Sequence, residues 1–359
     1  MPPIAFLALA EAQQLYHWLP AALRLAYDFG ARVSILSPSS KLLDLVASYD
    51  PDHKLHLIRL RRPSLRPDSL FHFPSRLATL ILNYPTIRRF PLLVTTETSS
   101  AWLYRMPGFS SRIIHIKHGA GDREGGYKKR HAAFDLTLVC GEKDRQRLIE
   151  RGLATEANCV VGGYPKFELM AEPQHFFADD KPVILYNPHF DRKLSSWYTH
   201  GPEVLKALED LHGYNVIVAP HTKIAKNIAP IRSDSPHIRV DMGSRHSIDM
   251  SYTNSADIYL GDISSQVYEF LLRPRPCLFL NLDHIDYADD PSFSHWKLGQ
   301  VLNDLSDLPA ALDRARQEQP HFIAAQEAAV AHSIDRSSDS ASLRQARIIL
   351  DFAERNDIR

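Results

Sequence analysis

The chain has 359 residues, a length that predicts two domains of ordinary size, each able to bury its own core. Its 42 basic and 42 acidic side chains balance, so the composition gives no support for a general nucleic-acid binder. The three cysteines lie far apart beside apolar runs, which indicates neither a disulfide framework nor a zinc site and fits a reducing cytoplasm.

Short apolar runs alternate with amphipathic segments through the first half of the chain. None approaches the roughly 20 apolar residues of a membrane span, and the run at 4–10 lacks the basic residues of a signal peptide. Strands are predicted at 4–10, 32–36, 54–60, 92–95, 112–117, 135–140 and 159–161. Helices are predicted at 16–29, 40–48, 73–82, 99–105 and 142–151.

The alternation pauses at 164–182, where three prolines accompany a polar segment, and we place the domain boundary there. Strands are then predicted at 183–186, 215–219, 238–240, 257–260 and 277–280, and helices at 203–211, near Ile224, at 247–252 and from 264. A mostly helical tail follows 307. The fold class predicted is α/β, with two doubly wound, Rossmann-like domains, at 1–168 and 169–359, that face one cleft.

The stretch 256–281 has the strongest functional signal. A buried strand ends at Gly261-Asp262, and a helix is predicted to begin at Ser264, capped by Ser264 or Ser265. A helix start at the carboxyl end of a strand offers N–H groups, hydroxyls and the positive end of the helix dipole, which suit a phosphate. The alternative interpretation, a capped strand-to-helix crossover that binds no ligand, is about equally well supported by this stretch.

Histidines follow three other predicted strands, in the segments 118–122, 187–189 and 220–221. Because the carboxyl ends of strands line the ligand crevice of an open α/β sheet, we expect His118 and His221 to face one cleft from opposite domains. His118, between strand and glycines, could act as a general base. Asp122 could orient it or could cap a turn, and the basic run 128–130 could attract an anion or form a solvated face.

Several familiar sites lack their signals. His115 and His118 are three positions apart at a strand end and lack the one-face geometry of a helical metal pair, so we predict no metal. Neither GxxxxGK[ST] nor a strand-linked GxGxxG occurs, and no GxSxG elbow is present. We therefore predict no cofactor.

Five motifs together resemble the CDP-glycerol glycerophosphotransferases of teichoic-acid and capsule synthesis, which are similar in fold to GT-B glycosyltransferases. They are HGAGD at 118–122, GGYPKFE at 162–168, ILYNPHF at 184–190, APHTK at 219–223 and ADIYLGDISSQVYEFL at 256–271. The resemblance covers most of the chain, and the last motif is the most specific.

The resemblance implies an acceptor side in domain 1–168 and a nucleotide-donor side in domain 169–359. It implies His118 as base toward the acceptor hydroxyl, His221 near the donor diphosphate and Glu269 on the ribose. We therefore predict three catalytic residues, His118, His221 and Asp122. The residues predicted to bind the donor are Asn187, His189, Arg192, Lys223, Asp262, Ser264, Ser265 and Glu269.

The motifs also depart from the family pattern, which leaves the transferred group open. Ala120 stands where the family has Thr, the segment 189–192 replaces an expected Trp-Arg, and Ala219 and Thr222 flank the Pro-His pair. Since the chain begins almost at its first strand, we do not expect the family's membrane-associating N-terminal part or a polymerase of long membrane-bound chains.

The first hypothesis is a cytoplasmic transferase that moves glycerol phosphate, another polyol phosphate or a sugar from a CDP- or UDP-linked donor to a glycan or lipid-linked acceptor. Peripheral contact with the inner face of the membrane stays open, and no nucleic-acid partner is expected. The alternatives are a UDP-sugar glycosyltransferase, a sugar-nucleotide epimerase and a non-catalytic member that binds nucleotide or glycan.

Overall fold

The computed structural model describes residues 1–224, 228 and 230–358. The chain divides into two compact units. Unit 1 comprises Met1–His118, Tyr127–Leu169 and His332–Arg359, and unit 2 comprises Gly119–Gly126 and Met170–Ala331. The main division lies between Leu169 and Met170. The segment Gly119–Gly126 groups with unit 2, and the C-terminal segment His332–Arg359 groups with unit 1.

Each unit contains one parallel sheet built from short strands, most of which are apolar and buried. In unit 1 the strands are β1 (Ile4–Leu7), β2 (Val33–Ser37), β3 (His56–Arg59), β4 (Leu92–Thr95), β5 (Arg112–Ile116), β6 (Leu136–Val139) and β7 (Cys159–Val161). In unit 2 they are β8 (Val183–Asn187), β9 (Asn215–Val218), β10 (Ile238–Val240), β11 (Ile258–Gly261), β12 (Cys277–Leu280) and β13 (Gln300–Leu302).

In each sheet the order in which the strands follow one another reverses at one place, which we call the switch point. The order is β3-β2-β1-β4-β5-β6-β7 in unit 1 and β10-β9-β8-β11-β12-β13 in unit 2, and every pairing is parallel. Both contain the doubly wound order in which the first strand lies beside the fourth. Ligands of such sheets bind outside the carboxyl ends of those two strands. The expected sites are therefore at β1 and β4 in unit 1 and at β8 and β11 in unit 2.

Helices cover the sheets. They are α1 (Leu19–Tyr27), α2 (Ser40–Ala47), α3 (Arg76–Leu82), α4 (Tyr84–Ile87), α5 (Glu142–Glu150), α6 (Ser196–Glu209), α7 (Ser251–Ser255), α8 (Gln266–Phe270), α9 (Leu308–Gln317), α10 (Gln319–Ser333) and α11 (Ala341–Arg355). The 3₁₀ helices are Ala12–His17, Thr98–Arg105, Glu124–Gly126, Lys129–Ala133, Pro165–Leu169, Arg245–Ser247, Pro291–Leu298 and Leu305–Asp307. No helix in the described part of the chain combines the length and apolarity needed to cross a membrane.

The segment 162–168 anchors α11 within unit 1. The Glu168 carboxylate accepts hydrogen bonds from the Ser342 backbone N–H, at 2.8 Å, and from the Ser342 hydroxyl at the start of α11. Gly163 adopts φ +81°, and a Cβ there would lie 2.9 Å from the Ala341 Cβ. This close approach requires glycine. The polar side chains of the motif thus hold the C-terminal helix on unit 1.

The prediction of two doubly wound α/β domains is confirmed, and the differences are local. Instead of one helix at 16–29, the 3₁₀ helix Ala12–His17 precedes α1, whose second residue is Pro20. α6 begins seven residues earlier than expected because Ser195 accepts a bond from the Trp197 N–H and the helix continues through Pro202. The helix expected near Ile224 would extend into 225–227, which lie outside the described residues.

Candidate active site

His118 lies at the switch point of the unit 1 sheet. Its Nδ1 is 2.8 Å from the backbone oxygen of Thr96, which follows β4. Its Nε2 is 3.2 Å from the amide nitrogen of Gln14, which lies in the segment after β1. The Thr96 hydroxyl donates to the Gln14 amide oxygen at 2.8 Å. Residues from three parts of the chain therefore hold the His118 ring in one orientation.

These contacts determine which nitrogen of His118 carries the proton. A backbone carbonyl can only accept, so Nδ1 of His118 is the donor to Thr96. Because the Thr96 hydroxyl takes the amide oxygen of Gln14, the Gln14 NH₂ group is the part that meets Nε2 of His118. Neutral His118 accordingly has its lone pair on Nε2, where a general base needs it.

The surroundings of His118 in unit 1 include a second buried histidine. The His17 ring centroid is 6.1 Å from that of His118 and 4.9 Å from that of Tyr164. Burial, followed by the charge of Lys166, lowers the pKa of His17 well below its usual value, so His17 is neutral near pH 7. Lys166 is itself buried.

In unit 2, Asn187 joins the loops that follow three neighbouring strands. Asn187 is the last residue of β8 and pairs with Gly261, the last residue of β11. Its amide nitrogen donates to the Ala219 carbonyl, after β9, at 2.7 Å. The Ser264 hydroxyl donates to its amide oxygen at 3.1 Å. Asn187 therefore fixes Ser264 at the switch point of this sheet.

In His189 and His221 the ring nitrogen Nδ1 accepts a hydrogen bond, whereas Nδ1 of His118 donates one. Nδ1 of His189 accepts the backbone N–H of Asp191 at 3.2 Å, and Nδ1 of His221 accepts the backbone N–H of Lys223 at 3.1 Å. An acceptor Nδ1 carries no proton, so each ring has its proton on Nε2. Burial, followed by the nearby charge of His221, lowers the pKa of His189 well below its usual value. Both rings thus offer an N–H donor, which suits an oxyanion.

Cations surround the Phe190 ring between these histidines. The ring centroid of Phe190 is 4.3 Å from that of His189 and 4.7 Å from that of His221. Lys223 Nζ lies 4.4 Å and the Arg123 guanidinium carbon 5.1 Å from the same centroid. Two N–H donors and two cations around one aromatic ring form a favourable place for a diphosphate.

Asp262 lies beneath the loops of the unit 2 switch point. Its Oδ2 accepts the backbone N–H groups of His189, at 3.0 Å, and Ser196, at 3.1 Å. Burial raises the pKa of this carboxyl from 3.8 to about 6, against the opposing effect of the hydrogen bonds from Ser196 and His189. Asp262 therefore supports the loop that carries His189.

Asp122 is buried in unit 2 beside two ring side chains. Its Oδ2 accepts the Tyr268 hydroxyl at 2.6 Å and lies 3.1 Å from Nδ1 of His295. The other ring nitrogen of His295 is 3.1 Å from the backbone oxygen of Asp262. His295 thus connects the loop that carries Asp122 to the loop that follows β11.

The glycines beside Asp122 allow a close approach to Ser265. Gly119 has φ +73°, and a Cβ on it would lie 3.1 Å from the Ser265 hydroxyl oxygen. A Cβ on Gly121 would lie 3.0 Å from the Ser265 Cβ. α8, which begins after Ser265, has five residues, so its macrodipole is weaker than the longer predicted helix implied. Ser265 remains half-buried at this junction, and Glu269 is buried on α8.

The profile of the CDP-glycerol:poly(glycerophosphate) glycerophosphotransferases matches residues 126–350. The chain belongs to this family. The resemblance predicted from the motifs is confirmed, and the protein is an enzyme of the transferase class. A search of curated protein sequences gave no match.

Solved structures share the fold of this glycerophosphotransferase at low sequence identity. The wall teichoic acid polymerase TagF, in a variant soaked with CDPG, has TM-score 0.65 and 14% identity over 100% of this chain and 90% of that chain. A UDP-N-acetylglucosamine 2-epimerase described for Listeria monocytogenes has TM-score 0.66 and 12% identity over 100% and 98% of the two chains. The UDP-GlcNAc 2-epimerase of Neisseria meningitidis, bound to UDP-GlcNAc, has TM-score 0.65 and 12% identity over 99% and 100%.

Within unit 2 of the glycerophosphotransferase, most predicted donor residues lie together. Contacts within this unit connect His189, His221 and Lys223 around Phe190, and Asn187, Asp262 and Ser264 beneath them. Arg192 is different. It is exposed, and its guanidinium carbon lies 4.9 Å from the Tyr198 ring centroid. The basic run 128–130 is also exposed, as expected of a solvated face.

Four residues that lie near predicted site residues, two in each unit, were not predicted from the sequence. They are Gln14 and Thr96 around His118, and Arg123 and His295 in unit 2. Arg123 had a signal, since it directly follows the HGAGD motif. No group of three or more His, Cys, Asp or Glu side chains within the described residues could hold a metal ion.

Proposed function

We propose that the protein transfers glycerol phosphate from CDP-glycerol to a hydroxyl group of a cell-envelope glycan. The observation that supports this most strongly is the opposite proton placement on its histidines. His118 presents a lone pair on Nε2, whereas His189 and His221 present N–H groups there. A transfer to a hydroxyl needs both, one base for the acceptor and donors for the phosphate oxygens.

The donor side of the proposed reaction is in unit 2. His189 and His221 donate to oxygens of the diphosphate, and Arg123 and Lys223 balance its charge beside Phe190. When the bond between the two phosphates breaks, negative charge grows on the departing CMP. Fixed cations and N–H donors stabilise that charge because they need no rearrangement at the moment of reaction.

The acceptor side of the proposed reaction depends on His118. The acceptor hydroxyl oxygen attacks the phosphorus of the glycerol phosphate group, its proton passes to Nε2 of His118, and CMP leaves with the electron pair of the broken P–O bond. Gln14 marks the place that the hydroxyl takes at Nε2. Thr96 keeps the proton on Nδ1 and so keeps the lone pair directed to the acceptor.

The remaining predicted residues have supporting roles in this proposal. Ser265 and its backbone N–H contact the phosphate, Ser264 and Asn187 hold the loop, and Glu269 binds the ribose hydroxyls. We place the reaction in the cytoplasm, since the three cysteines are buried thiols compatible with a reducing compartment.

The donor can be tested by thermal unfolding with CDP-glycerol, CDP, UDP, CMP and orthophosphate. A ligand at about 100 times its dissociation constant stabilises the folded state by about 2.7 kcal/mol, which raises the melting temperature by a few degrees. We expect CDP-glycerol and CDP to bind more tightly than CMP, and CMP more tightly than phosphate. Glu269→Ala should weaken the nucleotides without affecting phosphate. A preference for UDP would favour sugar transfer, and failure of every nucleotide would overturn the proposal.

A further inference from the structure

The segment that follows β4 in unit 1 contains a buried carboxylate with no role in the proposed transfer. Glu97 lies two residues after the end of β4, and its exposed fraction is 2%. It is the N-cap residue of the 3₁₀ helix Thr98–Arg105 and has extended backbone angles, φ −124° and ψ 149°. Glu97 therefore lies at the switch point of the unit 1 sheet, where Thr96 holds the His118 ring.

Both oxygens of the Glu97 carboxylate accept hydrogen bonds. Oε1 accepts the backbone N–H of Ser100, at 3.2 Å, and also the Ser100 hydroxyl. The Thr95 hydroxyl donates to Oε1 at 3.3 Å, and the backbone N–H of Ser99 donates to Oε2 at 2.5 Å. Because backbone N–H groups can only donate, this arrangement suits the ionised carboxylate.

The charge of Glu97 is not balanced by a cation. In the part of the chain that the structure describes, the polar partners of its carboxylate are N–H and hydroxyl groups, and it forms no ion pair. A buried charge without a counter-charge is costly. Capping alone does not account for it, since Ser, Thr, Asp and Asn are the side chains that a helix start favours. A glutamate at this place therefore needs another explanation.

A single peptide group connects Glu97 to the His118 ring. The carbonyl oxygen that accepts the Nδ1–H of His118 belongs to Thr96, and its carbon is bonded to the backbone nitrogen of Glu97. That nitrogen donates to the Thr95 hydroxyl at 3.4 Å. Glu97 thus ties together the residues on both sides of Thr96, which keeps the Thr96 carbonyl directed at Nδ1 of His118.

Other ionisable groups of unit 1 also act on this part of the site. They are His115 on β5, Lys117 paired with Asp144 at 2.9 Å, His17 in the 3₁₀ helix Ala12–His17 and Lys166 in the 3₁₀ helix Pro165–Leu169. The charges of Lys166 and Lys117 disfavour an imidazolium at His17, and they act in the same direction on the neighbouring His118 ring. A fixed carboxylate beyond Thr96 opposes them.

We propose that Glu97 is a positioning residue for His118, which directs the Thr96 carbonyl to Nδ1 and whose negative charge stabilises the imidazolium that forms during transfer. The inference rests on the proposed function, in which His118 accepts the proton of the acceptor hydroxyl. Glu97 takes up no proton itself. The acceptor proton stays on Nε2 of His118, and Nδ1 keeps its own proton on the Thr96 carbonyl.

The first test is the pH dependence of kcat/KM for transfer. The activity of the parent should fall at acidic pH, where His118 is already protonated and cannot act as a base. Without the nearby negative charge the imidazolium is less stable, so Glu97→Gln should move this acidic limb to lower pH by about 0.5 unit or more. The plateau value of kcat should fall about tenfold, because a weaker base accepts the proton less readily.

Glu97→Asp separates the charge of this residue from its reach. The shorter side chain keeps the carboxylate but cannot hold Thr95 and Ser100 in the same way, so kcat should fall while the acidic limb stays within about 0.2 unit of the parent. This variant also keeps the proposal testable if Glu97→Gln does not fold. Unchanged turnover in Glu97→Asp would then overturn the positioning role.

An NMR titration of the His118 ring, with isotope-labelled histidine, gives a second measurement that needs no activity. His118→Gln identifies the signal. We expect the His118 titration to move to lower pH in Glu97→Gln, by about the same 0.5 unit or more as the acidic limb. If the parent does not transfer glycerol phosphate, the proposed function fails, and this titration still decides whether the charge of Glu97 acts on His118.

Asp50→Asn is the matched control. Asp50 is another buried carboxylate of unit 1 that accepts backbone N–H groups, of Lys54 at 3.0 Å and Leu55 at 2.8 Å, but it precedes β3 and so lies at the amino edge of the sheet. Both titrations should stay within about 0.2 unit of the parent in this variant. An equal shift in Asp50→Asn would overturn the proposal. So would a Glu97→Gln variant that loses turnover without moving either titration, since Glu97 would then be only a helix cap.

Discussion

The Asp122 carboxylate and the His295 imidazole form a completely buried pair in unit 2, with Oδ2 3.1 Å from Nδ1. Nε2 of the same ring is 3.1 Å from the Asp262 carbonyl oxygen, also an acceptor. Each ring nitrogen therefore faces an acceptor. His295 thus joins the Asp122 carboxylate to the loop after β11.

Removal of His295 should be destabilising, because it takes a ring hydrogen-bond partner away from the buried Asp122 carboxylate. We expect His295→Phe to lower the free energy of unfolding by about 1–3 kcal/mol. Adding Asp122→Asn in that background removes the charge and should recover part of the loss. Urea unfolding of the parent, both single variants and the double variant gives the coupling energy. Losses that simply add would show that the two side chains do not stabilise each other.

Sequence reasoning predicted several strands well because they are apolar runs bounded by turn residues. β4, β7, β10 and β12 begin and end at the predicted residues. β13 was missed since it has only three residues, of which two are half-buried, and gives no long apolar run. α10 lies in the tail that was predicted to be mostly helical, but its bounds were not predicted, because its apolar residues are distributed around the helix and no periodic face appears.

The positions of the candidate site residues in the fold were predictable from the sequence, but their proton positions and hydrogen-bond partners were not. His118, His189 and His221 could be selected because each follows a strand, and the switch point of a doubly wound sheet is where ligands bind. Their proton positions depend on partners, and Gln14 is 104 residues from His118 in the sequence. Likewise, nothing near His295 in the sequence indicates Asp122, 173 residues away. Such long-range hydrogen bonds become visible only after folding.

Asp262 should make the folded protein less stable as the pH rises. Burial raises the pKa of Asp262 in the folded state to about 6, above its ordinary 3.8. Between these values the folded state holds a proton that the unfolded state has lost, so this carboxyl destabilises the protein increasingly as pH rises from about 4 to about 6, by up to about 3 kcal/mol.

Asp262→Asn tests this dependence because the amide does not titrate and its oxygen can still accept the N–H groups of His189 and Ser196. Free energies of unfolding from urea titrations at several pH values between 4 and 7 should be compared for the two proteins. We expect the stability of the variant relative to the parent to increase from pH 4 to pH 6 and to level off above it. A constant difference across this range would contradict the raised pKa.

The proton position on His118 gives a separate prediction for turnover. His118→Ala should lower kcat by roughly 10²–10⁴-fold and leave the dissociation constant of CDP-glycerol nearly unchanged, since the residue acts on the acceptor. Thr96→Val keeps the carbonyl that fixes Nδ1 and should reduce kcat far less. Single-turnover transfer and calorimetric donor binding are the measurements. Normal turnover with weakened donor binding would instead make His118 a ligand-positioning residue.

The two arginines near the Phe190 loop should differ in their effect on the donor. Arg123 lies over the Phe190 ring and pairs with Asp191 at 3.3 Å, whereas Arg192 stacks on Tyr198. If Arg123 contributes a charge-assisted hydrogen bond to the diphosphate, Arg123→Gln should weaken CDP-glycerol roughly tenfold. Arg192→Gln is the matched control and should stay within twofold.

A third variant distinguishes contact with the donor from support of the loop. Asp191→Asn removes the carboxylate that holds the Arg123 guanidinium but leaves its charge in place. CDP-glycerol binding should then be equal to or tighter than in the parent, because a competing anion has gone. If Arg123 only positions the Phe190 loop through Asp191, Asp191→Asn and Arg123→Gln should weaken binding by the same factor. Calorimetric titrations of CDP-glycerol and CMP with each variant would show which residue acts on the second phosphate, since CMP lacks it.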